Sequence, residues 1–266
     1  MEKIGSFLAA VRRLRDYLKK GMDQQIGIAF YGENLTAMED VEEEIGRSIR
    51  GGKIDDYASG ALRDIRRELM MLEEKIKTKA EAILKSQKSC MAENFIVTRN
   101  GQICLPVKKE CKGKIKGTVV DRSATGSTLF IEPEQVSRLR EEYDMAKLEE
   151  DGEERRILYE LTGMVADREE TCSENIKTVI KLDFMFAKGR MSAEMNAVEP
   201  SINTERRISI KKGRHPMLKK EECVPLDFEI GKRSRGVIIT GPNTGGKTVS
   251  IKTVGLLSLM AGSGLH

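Results

Sequence analysis

Residues 236–260 read GVIITGPNTGGKTVSIKTVGLLSLM, and no other stretch restricts the possible folds as much. Val237, Ile238 and Ile239 form a short continuous apolar run, the pattern of a strand buried on both faces of a parallel sheet. Gly241, Pro242, Asn243, Thr244, Gly245, Gly246, Lys247 and Thr248 then match G-x-x-x-x-G-K-[ST] at every fixed position. Thr248 to Met260 is apolar nearly all round, as suits a helix packed under a sheet. Strand, glycine loop and helix thus follow in the order a phosphate cradle requires. The three glycines let successive N–H groups face one anion without a Cβ in the way. A helix starting near Gly246 adds the positive end of its dipole. Lys247 is placed to reach the β- and γ-phosphates of a nucleotide, and the Thr248 hydroxyl to ligate Mg²⁺. A chance glycine-rich turn would share the letters, but not the flanking strand and helix patterns.

Only 18 residues, Val249 to His266, follow Thr248. No strand ending in an acidic residue follows to hold the metal and orient water, and further strands would be needed to bury 236–240. The chain therefore reads as cut off within a larger domain. Weak nucleotide binding, and no hydrolysis by this chain alone, are expected.

Composition narrows the class. Charged residues make up 33% of the 266 positions and aromatics 5%, with no Trp, which favours long solvated helices over an aromatic-rich enzyme. The length fits one or two domains. The net charge of +4 is too small to imply nucleic acid by itself, so its distribution has to decide. Five cysteines without a C-x-x-C pair, beside two histidines, do not suggest zinc and point to a reduced, cytoplasmic protein. No apolar run approaches the ~18 residues of a membrane span, and Met1 to Lys20 is too charged for a signal peptide.

Ile4, Phe7, Leu8, Val11, Leu14 and Leu18 fall at helical spacing, with Arg12, Arg13 and Arg15 reading as a solvated face. A second helical piece spans roughly 34 to 50 and ends at Gly51-Gly52. From Ser59, Leu62, Ile65, Leu69, Leu72, Ile76 and Ile83 trace a heptad seam broken at Lys79, predicting a helix to about Cys90 that seeks a long partner. Pro133 opens a second helical tract to about Ala197, with candidate breaks at Gly152 and Gly163. Its last part carries Ile176, Ile180, Phe184, Ala187, Met191 and Met195 on one face.

Between these tracts the character changes. FIVTRNGQICLPV predicts two strands about a turn at Asn100-Gly101, and KIKGTVVDRSATGSTLFIEP predicts two more. From Arg99 to Arg122 there are seven basic residues (Arg99, Lys108, Lys109, Lys112, Lys114, Lys116, Arg122) against Glu110 and Asp121. Such a module can track nucleic-acid phosphates without reading bases. An ordinary lysine-rich β surface that discourages edge pairing fits the same residues. Two helical tracts around a basic β-module predict an antiparallel stalk with the module at its tip. After Pro200, RRISIKKGRHPML, CVPLDFEIG and RGVIITG read as strands leading into the glycine loop, with His215-Pro216 in a turn.

GPNTGGKT, the Leu-rich helix ending AGSGLH, the preceding GRHPML and RNGQICLPVK…GSTLFIEP resemble the bacterial MutS family, and within it the MutS-II branch. Thr244 and Thr248 suit that branch better than the mismatch-repair branch. The resemblance implies an α+β, mainly α fold. It assigns a partial helical core to 1–56, lever helices to 57–92 and 134–197, a β-rich clamp to 94–133, and the first strands and P-loop helix of an ABC-type ATPase domain to 200–266. It further implies ATP and Mg²⁺ at Gly241 to Thr248, hydrolysis in an intact homodimer, and a grip on duplex or branched DNA or on ribosomal RNA. Family roles are suppression of recombination or rescue of collided ribosomes. The acidic Mg²⁺-holding strand, the signature loop, the Smr nuclease domain and part of the core helices have no counterpart in these residues. Phe130-Ile131-Glu132 spells the mismatch-reading wedge but falls in a clamp strand, where the match is coincidental. Two alternatives stand beside this reading: another coiled-coil ABC ATPase, whose P-loop would precede its stalk, and a non-catalytic dimerising helical scaffold.

Overall fold

The computed structural model describes residues 1–219, 221–242 and 245–266. They divide into two units, Met1–Asn175 and Ile176–His266. The fold mixes helices with small antiparallel sheets.

In the first unit, α1 (Glu2–Met22) buries Leu8, Val11 and Leu18 on the expected stripe. The next helix starts later than predicted. Residues 27–34 form a 3-10 segment, and α2 (Glu39–Ser48) follows with Glu39, Asp40 and Glu42 in its first turn, where the helix dipole favours acids. Arg12 does not stand free in solvent: its Nε and Nη2 donate to both Glu42 carboxylate oxygens at 2.9 and 2.8 Å. Beyond α2, the short strands β1 (Ile49–Arg50) and β2 (Lys53–Ile54) pair around Gly51-Gly52.

Ser59 starts α3 (Gly60–Ser86), its hydroxyl accepting from Leu62 N–H at 2.9 Å. The buried stripe is Leu62, Leu69, Leu72, Ile76, Ala80 and Leu84. Ala80 and Leu84 thus continue the seam past exposed Lys79. The helix stops at Ser86 and a 3-10 turn carries the chain on to Cys90.

Four strands follow: β3 (Val97–Arg99), β4 (Gln102–Lys108), β5 (Gly117–Arg122) and β6 (Thr128–Pro133), in the antiparallel order β3-β4-β6-β5. Asn100 and Gly101 take positive φ of 51° and 75°, the two left-handed positions that a tight hairpin needs. Helix α4 (Glu134–Ala166) leaves the sheet and returns along α3. Near its start Val136 joins Ile76, Ala80 and Leu84 under the sheet, with Leu105, Val107, Leu129 and Ile131. Midway, Ala146 meets Leu69 and Leu72. Near its end, Ile157 and Leu161 join Leu62, Leu8, Val41 and Ile45. Val136 and Ile157 are 21 positions apart, about 32 Å of helix at 1.5 Å per residue. The sheet therefore caps one end of the α3–α4 pair and the N-terminal helices close the other.

Helix α4 runs through Gly152 and Gly163, and the break falls at Asp167–Arg168 instead, before α5 (Glu169–Met195). Tertiary ties explain this position: Arg168 pairs with Asp40 at 2.7 Å, and buried Asn175 accepts from Thr36 N–H at 2.9 Å and donates to Thr36 O at 2.8 Å. Farther along α5 the predicted apolar stripe is exposed at Ile176, Ile180 and Phe184, while Leu182 is buried. Periodicity locates a face without determining what covers it.

In the second unit, β7 (Ile208–Gly213) and β8 (Leu226–Ile230) pair antiparallel, and α6 (Lys247–Gly262) packs on β7 with Leu257 against Gly213. Between the strands His215 shapes its own turn: Nδ1 accepts from Met217 N–H at 3.2 Å, and its N–H meets Cys223 Sγ at 3.4 Å. The strand expected at 237–239 is not formed. Ile238 is 90% exposed, and the segment lacks the ladders on both edges that hold a buried parallel strand.

Candidate phosphate loop and basic module

Helix α6 starts directly behind Gly246, whose φ of 80° is left-handed and which brings no side chain to cap the helix. The first turn of a helix presents its N–H groups toward its N-terminal side, here the glycine loop. Gly241 has a φ of 147°, and a Cβ on either glycine would meet nothing within 4 Å among the described residues. Gly245 N–H donates to Pro242 O at 3.0 Å. Ser250 fastens the first helical turn, its N–H and hydroxyl donating to Gly246 O at 2.9 and 3.0 Å. Lys247 is half-buried and Thr248 exposed, at the first two positions of α6. Asn243 and Thr244 lie outside the described residues. Main-chain amides at a helix start, a lysine and a hydroxyl are a donor set that fits a Mg²⁺–polyphosphate group.

The seven predicted basic residues all lie in the first unit, and all are exposed. They do not stand in equal environments. Arg99 lies 4.6 Å above the Phe130 ring with its Nε 3.8 Å from Asp121, so part of its charge is already engaged. Arg122 ends β5, where its own N–H donates to the Asp121 carboxylate at 2.7 Å. Lys108 reaches Ser89 O at 3.2 Å. Lys109, Lys112 and Lys114 ride on the 3-10 segment Lys109–Lys114, and Lys116 follows just before β5.

The heptad reading of α3 passed over five more lysines. Lys75, Lys77, Lys79, Lys85 and Lys88 are exposed towards the end of α3 that carries the sheet, and Glu81 is the one acidic residue between 75 and 88. The signal was present as EKIKTKAEAILKSQK, but only the fold brings it beside the β-module. Phe130 and Glu132 are buried, and Glu132 accepts from Arg140 Nε at 2.8 Å, which leaves no wedge to insert between bases. Burial, followed by the nearby Glu132 charge, pushes the Cys104 thiol up to about 11, so it stays protonated.

These features define a class: a helical body bearing a basic β-module, joined to a unit with a glycine-loop helix. No family model matches the chain. The chain is 39% identical over 268 residues to a protein named Endonuclease MutS2 from Geobacillus sp., an alignment covering 98% of this chain and 34% of that protein. It is 40% identical over 264 residues to Endonuclease MutS2 of Alkaliphilus oremlandii, covering 97% and 33%. With Endonuclease MutS2 of Clostridioides difficile it shares 38% over 269 residues, covering 99% and 34%. Similarity of this extent supports the MutS family. The chain spans about a third of the length of the curated relatives it matches.

Proposed function

We propose that the chain works within a MutS-II-type, ATP-dependent nucleic-acid clamp. In this reading α3 and the α4–α5 tract are the levers, residues 94–133 the clamp, residues 1–56 a partial helical core and residues 200–266 the first part of an ABC-type ATPase domain that pairs in a homodimer. Gly241, Pro242, Asn243, Thr244, Gly245 and Gly246 would wrap the phosphates, Lys247 would balance their charge, and the Thr248 hydroxyl would ligate Mg²⁺. When bound, Mg²⁺-ATP supplies a multiply charged anion and a hydrolysable bond; the leading amides of α6 and Lys247 orient it. Duplex or branched DNA is the expected partner, with ribosomal RNA as the competing one.

The observation that carries this reading is the position of the basic sheet. It stands on the end of the α3–α4 pair, about 32 Å of helix from the N-terminal core, and presents its lysines to solvent. An ordinary protective β surface does not require that placement. The curated relatives' name and the glycine loop support the same reading from two other sides.

The test reverses the charge of Lys112→Glu, Lys114→Glu and Lys116→Glu together. Duplex DNA affinity at about 0.1 M salt should fall on the order of tenfold to a hundredfold, with a shallower dependence on salt. The same titrations with double-stranded RNA identify the preferred partner. Unchanged duplex binding after the triple reversal removes the clamp assignment.

A further inference from the structure

Cys90 and Cys111 meet inside the core of the β-module. Met91 bridges Val107, and Ala92 N–H donates to Pro106 O at 2.8 Å, which lays residues 90–92 antiparallel to 106–108. The bond from Lys108 Nζ to Ser89 O adds a third tie. This register sets Cys90 beside Lys108, and the 3-10 segment Lys109–Lys114 then curls Cys111 back towards it. The Cys90 thiol is the largest influence on the Cys111 thiol, ahead of burial and of Lys114. Both are buried in one apolar cluster, Cys90 at 1% and Cys111 at 7% exposure. Cys111 is the nearer to solvent, since Lys109, Glu110 and Lys112 around it are exposed. Cys104, by contrast, bonds back to Gln102 O at 3.6 Å and stays out of this cluster.

We propose that Cys90 and Cys111 are a reversible oxidation site, which a peroxide converts into a disulfide that staples the lysine-bearing segment 109–114 to the 3-10 turn that follows α3. The sulfur of Cys111 attacks one oxygen of hydrogen peroxide, the O–O bond breaks, and the departing hydroxide takes the thiol proton to become water. The sulfur of Cys90 then attacks the sulfenic sulfur. The S–S bond forms as the S–O bond breaks, and the second hydroxide leaves as water with the Cys90 proton. Two electrons pass from the thiol pair to the peroxide, and a dithiol reductant returns them. The neighbouring Cys90 thiol, and then burial, push the Cys111 thiol up, which slows the first step. The cross-link does not depend on the nucleic-acid reading; it adds that the lysines of that segment would be held in one place.

The test treats the full chain with hydrogen peroxide, unfolds it, alkylates remaining thiols and digests it with trypsin. Residues 89–99 should appear joined to residues 110–112, two hydrogen atoms lighter than the two peptides together. Alkylation should be lost at both Cys90 and Cys111, retained at Cys104 in the separate peptide 100–108, and regained after a dithiol reductant. In Cys111→Ser the joined peptide should vanish and Cys90 should become alkylatable. Full alkylation of both cysteines after peroxide, or Cys90 joined to any other cysteine, overturns the proposal.

Discussion

Ser59 shows how one side chain can tie two distant parts of the chain. Its oxygen caps α3 by accepting from Leu62 N–H, and its hydrogen goes to Glu153 on α4 at 2.7 Å. Glu153 also takes two bonds from Arg156, at 2.8 and 2.7 Å. Those bonds from Arg156, then the one from Ser59, lower the Glu153 carboxyl to about 2 from its ordinary 4.5. A carboxyl depressed in the folded state contributes stability above its unfolded pKa and loses it as pH falls through the folded one. The stability of the chain should therefore fall between about pH 5 and pH 2. Glu153→Gln should cost on the order of 1–2 kcal/mol at pH 7, after discounting for half-exposed Arg156, and nothing near pH 2. Urea unfolding across that range checks it, and curves that stay parallel would remove Glu153 as the source. Arg66 nearby makes the same kind of link. It donates to Glu150 at 2.8 Å, to Glu154 at 2.7 Å and to Ile54 O at 3.0 Å, and it also pairs with Asp56. Neither link was legible in the sequence, because partners 94 and 84 positions apart are selected by the packing of α3 on α4.

At the scale of elements, the heptad on α3 was readable as far as Ile76 and then misleading. A strict seven-residue repeat asks for an apolar side chain at 79, but the sheet has to settle on α3 there, and fully buried Ala80 gives it room. Ala80→Leu should overpack this contact and lower stability by about 1–3 kcal/mol. Lys79→Leu, on the exposed face, should stay within about 0.5 kcal/mol. Denaturant midpoints of the two variants decide between them, and the reverse order would return the seam to position 79. The hairpin at Asn100-Gly101 was legible in full, because a tight turn is specified by the residues that adopt positive φ. Val237 to Ile239 had an equally clear strand pattern and formed no strand. A strand exists only through its neighbours, and apolar composition alone cannot supply them.

For the whole molecule, the proposed function requires the glycine loop of one unit and the lysines of the other to bias a common equilibrium. Linkage makes that bias reciprocal. Binding of a fluorescent ATP analogue with Mg²⁺ should weaken at least about tenfold in Lys247→Ala, since a charge-assisted phosphate contact is lost. In the unaltered chain, nucleotide and duplex DNA should shift each other's affinity by one shared factor, on the order of fivefold or more. Duplex affinity that is identical with and without nucleotide would break the coupling while leaving each site intact. The sequence by itself determined what local rules govern: the glycine loop before a helix, the hairpin turn, the helical stripes and the local excess of positive charge. Tertiary structure decided the rest. It placed the sheet on the end of α3–α4, brought the lysines of α3 beside those of the β-module, moved the helix break to Asp167–Arg168 and gathered Cys90 and Cys111 into one buried cluster. Turns, caps and amphipathic faces follow from bonding within a few residues, whereas these later features depend on groups far apart in the chain that meet only when the core closes.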